Sequence, residues 1–384
     1  MTKDQLLVDI EPTVLNWLVE SSGWSKEEIA KRLKTSTHVI DKFLDRSKKP
    51  SFRQLEELSN VFKRPVASFL LSEPVKEKPK PKDYRMLPSK LNKFDKKTIL
   101  VMRKARKLQE ISKELSGNIA YDTKSKIKRV KISESPESIA NTYRELFGLT
   151  EDKQRRFKNS YELFNYLRDI FEEQNIFVFQ FSMPVDDARG FVFADEYPYT
   201  VVVNSADLIE ARIFSLMHEF GHILLGESVI DLPEATASCK DDVEKWCNEF
   251  ASYFLLPTEL AKSSFSEYKS SLTDTAILKK LSNRFRVSKA MLLLNMKKLN
   301  FITQQQYDYK INQFVKEYKK EKEGEKKSGG GISSEVRCLS EVGNKFVSLV
   351  ANNYDKNHIT YTDALSYLSI KSRNFDKVLS KAKK

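Results

Sequence analysis

The sequence predicts a multidomain chain: an all-α N-terminal unit, an α+β central domain with a small sheet and a buried helix carrying HExxH, and a short all-α tail. Three observations predict this. Residues 11 to 71 hold capped, amphipathic patterns too short for anything but small helices, with no strand-like run among them. Residues 175 to 203 hold three runs dense in Phe, Val and Ile, followed by a stretch apolar on almost every helical face. Two breaks in composition separate the parts. The first is EPVKEKPKPK, Glu73 to Lys82, where proline spaces a charged run into an extended segment. The second is EYKKEKEGEKKSGGG, Glu317 to Gly331, which ends in three glycines that a helix interior does not tolerate well. The expected boundaries are a helical domain at 1–72, a basic Lys/Pro linker at 73–90, the central domain at 91–300, a charged Gly-containing linker at 301–331 and a C-terminal helical region at 332–384.

The chain has 384 residues, 40% hydrophobic and 31% charged, enough for sizeable cores and unlike a disordered polyelectrolyte. No stretch approaches 18 consecutive apolar residues, and Met1 to Pro12 lacks the apolar core of a signal peptide, so a cytoplasmic chain without membrane partners is expected. Cys239, Cys247 and Cys338 are odd in number and show no CxxC pairing, which argues against a disulfide framework and a cysteine-based zinc site. The formal charge of +13 is uneven. Residues 1 to 72 carry 12 Lys+Arg against 10 Asp+Glu, and residues 73 to 131 carry 19 against 7, so the excess lies in the first linker and the segment after it.

In the N-terminal unit, Pro12 suits a first helical position before Val14, Leu15 and Leu18. Ser25 with Glu28, and Ser51 with Gln54, are capping boxes; Ser36 can cap a third helix with Val39, Ile40, Phe43 and Leu44 inward; Pro65 opens a last turn. Two short helices joined by a tight turn are a helix-turn-helix arrangement. The run SKEEIAKRLKTSTHVIDKFLDRSKKPSFRQLEELSNVF resembles the phage-repressor-like (Cro/CI type) helix-turn-helix family. The resemblance makes the third helix a recognition helix with Thr37, His38, Asp41, Lys42 and Asp45 outward, and Thr37, His38 and Lys42 the candidate DNA contacts. Two carboxylates on that face are poor for DNA, because they repel phosphates unless they accept from cytosine amines. The alternative is a protein-interaction or dimerisation bundle, with the basic segment 76 to 107 adding phosphate contacts if DNA is bound.

In the central domain, residues 95 to 115, 135 to 148 and 160 to 174 read as helices, and Asn175 to Phe181, Gly190 to Ala194 and Tyr199 to Val203 as strands. Asn204 to Gly226 reads as a helix with Asp207 and Glu210 at its start and Gly226 at its stop. Ser215, His218, Glu219 and His222 fall on one stripe at i, i+3, i+4 and i+7 of this apolar helix. Two imidazoles and a carboxylate inside an apolar helix are costly unless a partner satisfies them, and Zn²⁺ would. His218 and His222 are one turn apart and can direct ring nitrogens at one tetrahedral ion, with Glu219 as general base. A hydrolytic zinc takes three protein ligands, and His38 and His358 lie in other parts of the chain. A downstream carboxylate is therefore favoured. The helix at about Asp242 to Leu256 offers Glu244 and Glu249, about 140° apart around its axis, so only one can face the site. Glu244 shares an inward face with Asn248, Ala251 and Leu255, whereas Glu249 points away and reads as a solvated carboxylate. Asn248 is a candidate supporting residue beside the ligands.

The runs GFVFADEYPYTVVVNSADLIEARIFSLMHEFGHILLGE and EKWCNEFASYFLLP resemble the ImmA/IrrE family of zinc metallopeptidases. In that family HExxH is followed by an E-x-x-[AC]-N-x-F-A-x-x-L-L-x-P segment. Glu244, Cys247, Asn248, Phe250, Ala251, Leu255 and Pro257 match it, with Phe254 where Leu is usual. The similarity extends over about 84 to 300, from the Asp83-Tyr84-Arg85 run onward. It implies a zincin-like fold, His218, His222 and Glu244 as zinc ligands, Glu219 as general base, and a protein substrate that is a helix-turn-helix repressor or an antitoxin. The different class of reading is a DNA-binding regulator or antitoxin-like protein whose metal site is sensory or structural. Cys247 is expected to be a packed small side chain, Cys239 to have no role, and Tyr253 is one of several tyrosines that could face an oxyanion. In the tail, Glu341 to Asn352 and Thr362 to Leu368 read as helices, with Tyr361 and Phe375 as apolar anchors and His358 in a surface turn. This region resembles the extra C-terminal helices of longer family members.

Overall fold

The computed structural model describes residues 6–76, 94–119, 127–226, 230–231, 242–324 and 332–382. The Lys/Pro stretch from residue 77 onward, the Asp83-Tyr84-Arg85 run, Cys239 and the three glycines at 329–331 lie outside the described residues. The chain divides into two compact units, and the division falls after Lys104.

In the first unit, α1 (Pro12–Ser22) starts on its proline and stops at Gly23. α2 (Lys26–Arg32) and α4 (Phe52–Phe62) carry the two expected capping boxes, Ser25 with Glu28 and Ser51 with Gln54. α3 (Thr37–Leu44) begins after Ser36, whose side chain makes no capping bond. A 3₁₀ turn, Val66–Leu70, follows Pro65. Val14, Leu18, Ile29, Ile40, Phe43, Leu55 and Phe62 form the core, which accounts for the apolar spacing of each helix. A long helix, α5 (Lys96–Asn118), spans the division between the units.

The second unit contains α6 (Pro136–Leu146), α7 (Glu151–Arg156) and α8 (Ser160–Glu173), then β1 (Ile176–Phe181), β2 (Gly190–Phe193) and β3 (Tyr199–Asn204). After these come α9 (Ile209–Leu225), the two-residue β4 (Ile230–Asp231) and α10 (Asp242–Leu255). The sheet order is β1-β3-β2-β4, with β1 parallel to β3 and β2 antiparallel to both neighbours. Every residue of β1, β2 and β3 is buried, because both faces of the sheet are covered. That is why the strands read as continuous apolar runs and not as alternating ones. Ile176, Val178, Val192, Val201 and Val203 belong to the core shared with α8 and α9. Phe177 and Phe179, on the other face, meet Phe346 of the tail edge-on at 6.2 and 5.7 Å between ring centroids.

α9 begins at Ile209 with Leu208 at the N-cap position, and the Asp207 carboxylate, instead of capping the first turn, accepts from the adjacent Leu208 N and lies 4.0 Å from Arg189. The carbonyls of Ser205 and Asp207 are instead bonded by Arg212. The far end stops where expected, at Gly226, with φ at 78°. The Arg129 guanidinium lies over that glycine, 2.9 Å from where a Cβ would stand, which suits a cation at a helix C-terminus.

Four more helices follow: α11 (Thr258–Glu267), α12 (Thr275–Phe285), α13 (Lys289–Lys298) and α14 (Gln304–Gly324). The last runs through much of the segment expected to be a linker. The tail forms α15 (Ser334–Asp355), α16 (Tyr361–Leu368) and α17 (Phe375–Ala382), and it belongs to the second unit. α15 breaks at Gly343, with φ 83° and ψ 161°, where a Cβ would overlap Glu172 Oε1. Around this break Arg168 bonds Glu172 at 3.1 Å and the carbonyls of Leu339 and Ser340 at 3.2 and 2.8 Å, while Glu172 accepts from Lys345 N at 3.1 Å. The tail thus closes over β1 through a buried ion pair as well as through Phe346. Among the described residues no helix is long and apolar enough to cross a membrane.

Candidate metal centre

Burial selects the polar stripe of α9. Ser215, His218, Glu219 and His222 are all buried, and the last three have no exposed surface. Glu244, on the first turn of α10, is equally buried and faces the two imidazoles. His218 Nε2 lies 3.3 Å from Glu244 Oε2, His222 Nε2 lies 3.2 Å from Glu244 Oε1, and the two Nε2 atoms are 3.1 Å apart. An ion bound tetrahedrally with bonds of ~2.0–2.1 Å holds its ligand atoms about 3.3 Å apart. Each imidazole nitrogen therefore has a Glu244 oxygen near that separation, a different oxygen for each, and the three side chains are a group that could hold a metal ion. Burial alone would raise the Glu244 carboxyl, but hydrogen bonds and charge from His218 and His222 outweigh it and hold the group well below the usual carboxylate range.

The spacing between the ligand helices depends on a close approach. A Cβ on Gly221 would stand 3.0 Å from Cys247 Sγ and 3.2 Å from the Cα and Cβ of the same residue. Glycine in HEFGH therefore lets α10 lie against α9, and the fully buried Cys247 is the small side chain expected there. Glu249 is away from the site, 3.9 Å from Lys298 with its side chain 29% exposed. Tyr253 lies on that same side of α10; burial, Glu249 and Glu137 raise its hydroxyl, and it is half a helical turn from the Glu244 face. Asn248, one turn after Glu244, is half-buried.

The residues expected to touch DNA are not part of this site. Thr37 and Lys42 are half-buried on α3 and His38 is exposed, all in the first unit. Asp41 pairs with Lys26 of α2 at 2.7 Å, so one carboxylate of the proposed reading face engages a cation of its own unit.

Sequence reasoning overlooked three residues of the site's frame: Gly190, Gly221 and Asn204. A glycine opening the strand GFVF was the available signal, since a strand-interior glycine often marks a close approach. Asn204 gave a weaker one, as a polar residue at the end of an all-apolar strand.

A buried His-His-carboxylate group on two packed helices, with the glutamate of HExxH on the same helix and a small sheet alongside, suggests a zincin-like metallopeptidase domain. In agreement with that class, residues 171–297, about a third of the chain, match the family model of a peptidase domain described as IrrE N-terminal-like. The match does not reach the N-terminal helices. None of the curated proteins matches the chain.

Proposed function

We propose that the chain is a cytoplasmic zinc-dependent endopeptidase of the ImmA/IrrE type that cleaves one protein partner, a helix-turn-helix repressor or an antitoxin, and so relieves repression. The buried cluster of His218, His222 and Glu244 carries the reading, because two imidazoles and a carboxylate converge there within reach of one ion. These three side chains would hold the zinc, whose chemistry is Lewis acidity toward a carbonyl oxygen and toward water. Glu219, buried on the same helix stripe, takes the proton from the attacking water and returns it to the leaving amine. A purely structural site has no need of a carboxylate in that place, which favours the enzyme over a metal-stabilised regulator. The choice of a repressor or antitoxin as substrate rests on the family resemblance alone.

The test pairs metal content with cleavage. Glu219→Gln is expected to retain about one zinc per chain, yet to slow cleavage of a co-expressed cognate repressor by at least ~100-fold, the usual contribution of a general base. Equal cleavage by both proteins would leave the regulator reading in its place.

The helix pair α2 and α3 keeps a second reading open for the first unit, in which it binds DNA. The Lys26–Asp41 pair and the small net charge of residues 1 to 72 weigh against tight binding by that unit alone. Docking of the protein substrate, or formation of a homodimer, suits such a face better.

A further inference from the structure

Glu219 does not point into open space: its side chain lies against the first residue of β2. A Cβ on Gly190 would stand 3.1 Å from Glu219 Oε1, 3.6 Å from Glu219 Cγ and 2.9 Å from Val202 O. Gly190 does not have a positive φ, so conformation does not require glycine there. Space does. The strand is held in that place from two sides, since Gly190 is paired with Val203 of β3 and with Asp231 of β4.

The segment leading into Gly190 is held by one buried side chain. Asn204, at the end of β3, has no exposed surface. Its Oδ1 accepts from Met183 N at 3.1 Å and Ala206 N at 2.9 Å, and its Nδ2 donates to Met183 O at 3.1 Å and Ala188 O at 2.8 Å. Its backbone N–H donates to Arg189 O at 2.8 Å. Both polar atoms of the side chain are thus engaged in closing the turn from Met183 to Arg189. An aspartate would keep the shape, lose both donated bonds and set a carboxylate oxygen against two carbonyls.

We propose that Gly190 and Asn204 are positioning residues for Glu219: Asn204 fixes the turn that delivers Gly190, and the bare Cα of Gly190 is the wall that sets where the Glu219 carboxylate rests. The placement follows from packing alone; the catalytic consequence rests on the peptidase reading above. A misplacement of about 1 Å costs on the order of 100-fold in rate, and a methyl 3.1 Å from Glu219 Oε1 pushes that oxygen by roughly 0.5 Å, for which a loss of about 10-fold is expected.

The test is a double-mutant cycle on the full zinc-loaded chain: Gly190→Ala, Glu219→Ala and both together, read as thermal midpoints and as zinc per chain. Gly190→Ala is expected to lower the midpoint by several degrees, as overpacking does. Part of that loss is the contact with Val202 O, which no change at Glu219 relieves. With Glu219 cut to alanine the same methyl should cost clearly less, so that the double variant lies above the sum of the single losses. Strict additivity would overturn the proposal, because the methyl would then be meeting Val202 O alone. Should Gly190→Ala give no folded protein, recovery on adding Glu219→Ala supports the proposal, and failure of both variants overturns it. Where the wild type cleaves a substrate, Gly190→Ala and Asn204→Asp should lower kcat about 10-fold with KM and zinc content unchanged; an unchanged kcat overturns the proposal. A wild type that binds zinc and cleaves nothing removes the peptidase reading and leaves the cycle to decide the placement.

Discussion

Gly221→Ala would test whether the α9–α10 contact sets the ligand spacing. The added methyl would meet Cys247 Sγ at 3.0 Å and the Cα and Cβ of that residue at 3.2 Å. Carbon atoms prefer ~3.5–4.0 Å, so α10 has to retreat by about 0.5 Å. Glu244 is three residues before Cys247 on the same helix and moves with it. Its present separations of 3.2 and 3.3 Å from the imidazole nitrogens then grow to about 3.7 Å, beyond the ~0.2 Å tolerance of zinc bonds. The expected cost is ~1–3 kcal/mol in stability of the metal-free chain and a ~10–100-fold loss in zinc affinity, comparable to losing a supporting interaction of a ligand. Competition against a chromophoric chelator reads the affinity, and thermal unfolding of the chelated protein reads the stability. Adding Cys247→Ala relieves the sulfur contact but leaves Cα and Cβ where they are, so only part of the loss should return. Wild-type zinc affinity in Gly221→Ala would refute the reasoning, and so would complete rescue by Cys247→Ala.

Three other outcomes are expected. Glu244→Ala should empty the metal site and Glu249→Ala should not, read as zinc per chain after gel filtration; the reverse pattern would show that α10 presents its other face. Phe346→Ala should destabilise the chain by ~3–5 kcal/mol, the usual cost of deleting a fully buried aromatic, and a loss below ~1 kcal/mol in chemical denaturation would show that the tail is not part of the core. The third concerns pH. Burial pushes the Glu172 carboxyl up to about 7, and Arg168 and the Lys345 amide only partly offset this. Because the folded value lies above the ordinary one of 4.5, the stability this group contributes is complete below pH 4.5 and is lost as pH rises through 7. Wild type should therefore lose stability relative to Glu172→Gln across that window, and a constant difference between the two denaturation curves would contradict the burial argument.

What could be read from the sequence followed from local rules. Ser25 with Glu28 and Ser51 with Gln54 announce α2 and α4, because a capping box is complete within four residues. Gly226 marks the end of α9 for a similar reason, since a left-handed C-cap asks for glycine. α9 starts later than the sequence suggests because the residues before it belong to β3 and its turn: Asn204 pairs with Phe181, Ser205 N donates to Phe181 O, and Ala206 N and Asp207 N donate to Asn204. α14 was hidden by the charge of its second half, which reads as solvated linker when its surroundings are unknown. The tail looked like an appendage because neither Phe346 nor Gly343 states its partner. Phe177, Phe179, Arg168 and Glu172 lie more than 160 residues earlier, and only the fold brings them together.

The candidate site shows the same division between local and distant information. His218, Glu219 and His222 were legible because a helix places i and i+4 on one face, and Glu244 because the alternative glutamate would have faced away from its small, apolar neighbours. The residues that hold those four side chains in place were not. Gly221 matters through Cys247, on the next helix, and Gly190 through Val202 and through Glu219, 29 positions later. Glycine's contribution at both places is the absence of an atom, and an absence is informative only once its surroundings are known. The chemistry proposed for this domain therefore lies in a short polar stripe, whereas the proposed placement of that stripe rests on two bare Cα atoms and on one buried amide, Asn204, which closes the turn leading into Gly190.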